Sequence, residues 1–157
     1  MNLISKKLKS HNLQACKGFT LLETLLVIAL VALIFVAGMP VYLSLMFRND
    51  LAIGQNTTAS LLRRAQLLSQ GVDGDSGWGA KIQSGSITLF QGASYASRNT
   101  TRDEIHEIPS SINVAGAQEI VYAKFTGLPS ATGTITFTAS NNETSTVTIN
   151  GKGTISY

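Results

Sequence analysis

From Thr24 to Phe47 the chain runs 24 residues without a formal charge, and almost every position is apolar. As a helix this stretch is about 36 Å long, enough to cross a bilayer. Gly38 and Pro40 fall inside it. Proline lacks the backbone donor and crowds the preceding turn, so a kink or local loosening is expected there. From Leu51 the pattern turns amphipathic. Leu51, Gly54, Thr58, Leu61, Leu62, Ala65 and Leu68 recur at steps of three and four, with Gln55, Arg63, Arg64 and Gln66 on the opposite face. The spacing predicts one long helix over 19–70, with Gly71 as its C-cap.

After Gly71 the period changes to two. Ile135 and Phe137, Val147 and Ile149, and Ile155 and Tyr157 each alternate with Thr or Ser. This is the signature of half-buried strands, apolar toward a core and hydroxyl-bearing toward water. Further strands are expected at 78–83, 86–91, 104–108 and 119–125, and 92–102 reads as a loop. Asn150-Gly151 is a strong hairpin turn, with weaker ones at Ser84-Gly85 and Asn141-Asn142. The fold class is therefore α+β: a long N-terminal helix, apolar in its first half and amphipathic in its second, on an antiparallel β-sheet or sandwich.

The charge changes this picture mainly at one end. The formal charge is +3, but Lys6, Lys7, Lys9 and Lys17 all lie in the first eighteen residues, which hold no acid. Without them eight basic residues face nine acidic ones, a net −1. Nucleic acid is accordingly not expected as a partner, because phosphate binding needs several Lys or Arg on one face. Four lysines before an apolar span place that end on the cytoplasmic side. The one cysteine, Cys16, also precedes the span, so the β-rich part must fold without a disulfide.

Catalytic chemistry finds little support. His11 precedes the span, and His106 sits in Asp103-Glu104-Ile105-His106-Glu107. On a strand, Glu104, His106 and Glu107 do not share one face, so a solvated strand is the simpler reading than a metal or acid–base site. Asp73-Gly74-Asp75 spaces two carboxylates as a calcium loop does, but Ser84 stands where the twelfth-position glutamate belongs. No enzyme, metal or cofactor is expected.

The remaining pattern is at the mouth of the apolar span. Lys17-Gly18-Phe19-Thr20-Leu21-Leu22-Glu23 sets one carboxylate at its start. A charge inside an apolar membrane helix costs about 2.5–3.5 kcal/mol, so such residues usually have a partner. Ordinary secretory cleavage would leave Glu23 unexplained and finds no clean small-x-small site. Leu13-Gln14-Ala15-Cys16 imitates a lipobox but lacks an apolar stretch before it.

The arrangement resembles the class III signal of type IV pilins and type II secretion pseudopilins. That resemblance implies cleavage between Gly18 and Phe19 by a prepilin peptidase, N-methylation of Phe19, and a filament-assembly role for Glu23. Glu23 is fifth from Phe19 and would neutralise the α-ammonium of a neighbouring subunit. Thr20 is read as a small polar neighbour without a role of its own. The chain would then divide into a leader (1–18), a transmembrane helix half (19–47), an amphipathic half (48–71) and an extracytoplasmic pilin domain (72–157). Family pilins often carry a proline at the depth of Gly38 and Pro40, where assembly loosens the helix.

The later chain resembles the GspH/FimT minor pseudopilins. The carrying residues are Leu62-Arg63-Arg64-Ala65-Gln66, Trp78-Gly79, Ile87-Thr88-Leu89-Phe90, Lys124-Phe125-Thr126-Gly127-Leu128-Pro129 and Val147 to Gly153. The Asp-Pro-Trp-Gly segment and acidic calcium loop of the major pseudopilin are absent from the sequence. Implied partners are the peptidase/N-methyltransferase, other pilin subunits, a platform protein, an assembly ATPase and the membrane. The expected location is the inner membrane as a single-pass protein, leader in the cytoplasm, then a periplasmic or surface filament. Alternatives are a major or DNA-uptake pilin and a membrane-anchored adhesin that never polymerises.

Overall fold

A computed structural model describes residues 18–157. The expectations placed on Lys6, Lys7, Lys9, His11, Cys16 and Lys17 lie outside the described residues. One long helix, α1 (Leu21–Gln70), is followed by eight strands. They are β1 (Trp78–Gln83), β2 (Ser86–Gln91), β3 (Glu104–Glu107), β4 (Asn113–Gly116), β5 (Glu119–Tyr122), β6 (Gly133–Thr138), β7 (Thr144–Ile149) and β8 (Ile155–Ser156). The chain divides into two compact units, Met1–Met39 and Pro40–Tyr157.

In the first unit α1 is apolar on all sides, and its side chains from Leu21 to Val36 are exposed. An 18-residue window of α1 has mean hydropathy 2.7 with none of it buried in the protein. A helix apolar all round needs cover from lipid or from other helices. α1 remains helical through Gly38 and Pro40.

In the second unit the amphipathic part of α1 packs with two antiparallel sheets, ordered β3-β2-β1-β5 and β4-β6-β7-β8. Leu51, Ala59, Leu61, Leu62 and Ala65 share one apolar core with Ile82, Leu89 and Ile120 of the first sheet and Ile135, Phe137 and Val147 of the second. The predicted face is the buried one, with Ala59 and Ser69 added and Leu68 only half-buried. Gly54 is on that face because of space: a Cβ there would stand 2.5 Å from Ile112 Cδ1.

Ser69 joins the helix to both neighbouring segments. Its buried Oγ accepts the Trp78 amide at 2.8 Å, and its carbonyl accepts the Phe125 amide at 3.0 Å. The C-terminal cap differs from expectation. Gly71 still donates to Leu67 O as a helical residue, and the left-handed position falls on Val72, at φ 56°. A β-branched side chain is poorly suited to that region.

In the first sheet β1, β2 and β5 are buried on both faces, while the edge strand β3 is not. On its outer face Phe90 lies over Gly79, where a Cβ would come within 2.7 Å of Phe90 Cζ. The loop after β2 covers that aromatic. Tyr95 meets Phe90 edge-on at 5.5 Å, and its amide donates to Glu119 Oε1 at 2.9 Å. Arg98 lies 3.8 Å over the Tyr95 ring and donates to Tyr95 O and Asp103 Oδ2 at 2.7 and 2.8 Å. The hydrogen bond to Asp103 raises the Arg98 pKa. This fitted cover explains why β2 is buried continuously from Ile87 to Gln91 rather than at alternate positions.

β1 and β2 match expectation residue for residue. β3 stops one residue early, at Glu107. β5 ends at Tyr122 rather than Phe125, because Ala123–Leu128 closes on itself with Gly127 N donating to Ala123 O and Ala123 N to Leu128 O. β4 is unforeseen: its one buried apolar side chain is Val114, too little to make a period.

Tyr122 is fully buried, and its hydroxyl has no hydrogen-bond partner among the described residues. Burial pushes its pKa up to about 12, from 10.0. The folded chain keeps this proton while the unfolded chain loses it, so stability is flat below pH 10 and falls between pH 10 and about 12. Tyr122→Phe should remove that component of the slope and cost at most about 1 kcal/mol near neutrality, or nothing. Chemical unfolding followed by Trp78 fluorescence across this pH range checks it. Val72→Gly should stabilise by up to about 1 kcal/mol in the same assay.

Candidate functional site at the mouth of the apolar helix

The sequence up to Leu21 explains how the helix begins. Thr20 is the N-cap: its Oγ1 accepts the amide of Glu23 at 3.2 Å, and its carbonyl accepts the amide of Thr24 at 3.1 Å. This corrects the expectation that Thr20 has no role of its own. Thr-x-x-Glu is the spacing of a capping box, a signal present in the sequence. Glu23, at the third helical position, places a negative charge beside the unpaired amides and positive dipole end of α1.

Phe19 precedes the cap and is 77% exposed. Together with Thr24, Val27 and Ile28 it borders a shallow apolar groove of about 300 Å³. Phe19 and Thr24 hold the N′ and N4 positions, but Thr24 is polar and donates its hydroxyl to Leu21 O, so the pair is not a hydrophobic staple. Gly18 is open: a Cβ there would meet no atom of the described residues within 4 Å. The Gly18–Phe19 bond, the Phe19 ring and the Glu23 side chain are thus all exposed on the first unit. Gly38 and Pro40 lie far along α1 from them in sequence.

The other candidates are engaged elsewhere. Glu104 and His106 share the core-facing side of β3 while Ile105 and Glu107 face outward, as the register with β2 requires. Glu104 is paired with Arg64 at 2.7 Å, and His106 Nε2 stands 3.8 Å from it. Asp73 pairs with Arg102 at 3.1 Å and Asp75 with Lys124. No group of three or more His, Cys, Asp or Glu placed to hold a metal occurs among the described residues. A cleft of about 360 Å³ beside β5, lined by Gly77, Gly92, Val121, Leu128 and Pro129, is mainly apolar.

Comparison with known proteins bears on the N-terminal end. Residues 13–39 match the family model described as the prokaryotic N-terminal methylation motif. No curated protein and no solved structure matches the chain. The motif is the class III prepilin signal. It implies processing by a prepilin peptidase and assembly with other pilin subunits. With the long helix on antiparallel sheets, it supports a type IV pilin-like or pseudopilin subunit.

Because the Asp73 and Asp75 carboxylates already hold cationic partners, millimolar calcium should leave the melting temperature within about 1 °C of its metal-free value. Asp73→Asn should cost about 0.2–1 kcal/mol through the lost Arg102 pair. Calorimetry with calcium and with a chelator measures both.

Proposed function

We propose that this pilin-like chain is the precursor of a minor pilin or pseudopilin of the GspH/FimT kind. In this reading a prepilin peptidase cuts between Gly18 and Phe19 and N-methylates Phe19. The leader lies in the cytoplasm, the apolar half of α1 crosses the inner membrane, and the β-rich domain lies outside. An assembly ATPase and a platform protein then move the subunit into a short filament that serves secretion or pilus biogenesis. Its work is mechanical rather than catalytic. Gly38 and Pro40 supply the point at which the helix loosens as subunits pack.

The observation that carries this reading is the exposed Glu23 carboxylate at the mouth of the uncharged segment Thr24–Phe47, fifth counting from Phe19 and close to an open Gly18–Phe19 bond. Cleavage there creates an α-ammonium on Phe19. In apolar surroundings an ammonium and a carboxylate attract strongly, whereas either alone is costly to bury. A methylated amine stays cationic, so the pair survives the modification. The Glu23 of one subunit and the Phe19 amine of the next therefore satisfy each other only in an assembly.

Mass spectrometry of the mature chain should find N-methyl-Phe19 at its start, and sheared filaments should hold this subunit at a small fraction of the main one. Any other N-terminus would overturn the processing step. Glu23→Ala should be trimmed normally and yet be absent from filaments. Incorporation at the parent level would favour a membrane-anchored protein that does not polymerise.

A further inference from the structure

Three side chains between Phe19 and Val36 are polar: Thr20, Glu23 and Thr24. Both hydroxyls are used by the helix itself. Thr20 Oγ1 accepts the Glu23 amide at 3.2 Å, and Thr24 Oγ1 donates to Leu21 O at 2.9 Å. The capping box is made on one side only. In a complete box the glutamate would turn back and accept the N-cap amide. Here the Glu23 carboxylate has neither a hydrogen bond nor an ion pair among the described residues.

We propose that Thr20 is a positioning residue for Glu23: by satisfying the Glu23 amide it keeps the carboxylate free for the ammonium of a second pilin subunit. The proposal rests on the assembly reading above. An orphan amide at a helix start in apolar surroundings recruits the nearest acceptor. Without the Thr20 hydroxyl, that acceptor is the Glu23 carboxylate, which would fold back as its own cap and be withdrawn from the neighbour. The first turn would also fray, spreading the carboxylate over several places.

Thr20→Val keeps the shape and removes the acceptor; Thr20→Ser keeps the acceptor. Both are made in the full chain. Trimming is read by mass spectrometry, exchange of the Glu23 amide by NMR in detergent, and incorporation by filament yield. Thr20→Val should be trimmed, exchange its Glu23 amide about fivefold faster and lose about fivefold or more in filament yield, with Thr20→Ser near the parent in both. If Val blocks trimming, Thr20→Ala and Thr20→Asn replace the pair, Ala failing to assemble and Asn, a good cap, succeeding. Parent-level filament yield from Val or Ala overturns the proposal. So does a Ser or Asn variant that restores amide protection without restoring yield. A parent chain that does not begin at Phe19 instead overturns the processing reading, so the two failures are distinguishable.

Discussion

The β-rich unit depends on the burial of one hydroxyl. Ser69 sits at the end of the amphipathic face of α1, fully enclosed, and its Oγ takes the amide that opens β1. Its carbonyl takes the amide of Phe125, just after β5. A helix end leaves carbonyls unsatisfied, and a strand start buried against a helix leaves an amide unsatisfied. Ser69 meets both needs at once. The register of β1 with β2 and β5 then carries Ala80, Ile82, Leu89 and Ile120 onto the helix side.

Two different solvents can be read along one helix. Residues 19–36 offer an apolar surface with a single carboxylate, Glu23, and two hydroxyls, those of Thr20 and Thr24, that the backbone consumes. From Leu51 onward the helix meets water in the ordinary way, with a stripe of apolar residues against two sheets and Arg63 and Arg64 on the other side. The change of pattern in the sequence is therefore a change of surroundings rather than of secondary structure. That is why one element, α1, spans both.

Much of this was legible beforehand because it follows from periodicity. The 3.6-residue repeat from Leu51 and the two-residue repeats at Ile135 and Val147 each report a buried face, and those residues are buried apart from half-buried Leu68. Of the last repeat Ile155 is buried, but Tyr157, past the end of β8, is 60% exposed. What was not legible depends on contacts distant in sequence. Asn113–Gly116 becomes a strand because β6 lies beside it. Val72 takes the left-handed cap in place of Gly71 because the chain must turn toward the Ser69–Trp78 join. The division of eight strands into two sheets has no local signal. At the N-terminal end the Gly18, Phe19 and Glu23 pattern was readable as a motif. The Thr20 cap was equally readable, from its spacing to Glu23, but the motif drew attention to cleavage rather than to the first turn.

The second sheet presents water with a surface of unusual character. Thr134 and Thr148 stand side by side across β6 and β7, their hydroxyls 3.1 Å apart, and Thr146 lies exposed on the same strand. Between Thr132 and Asn150 the one ionisable side chain is Glu143, in the β6–β7 turn. Hydroxyls hold their hydration without a counterion cloud, and they neither titrate nor are screened. A face made this way keeps the same character in brine, fresh water or mild acid.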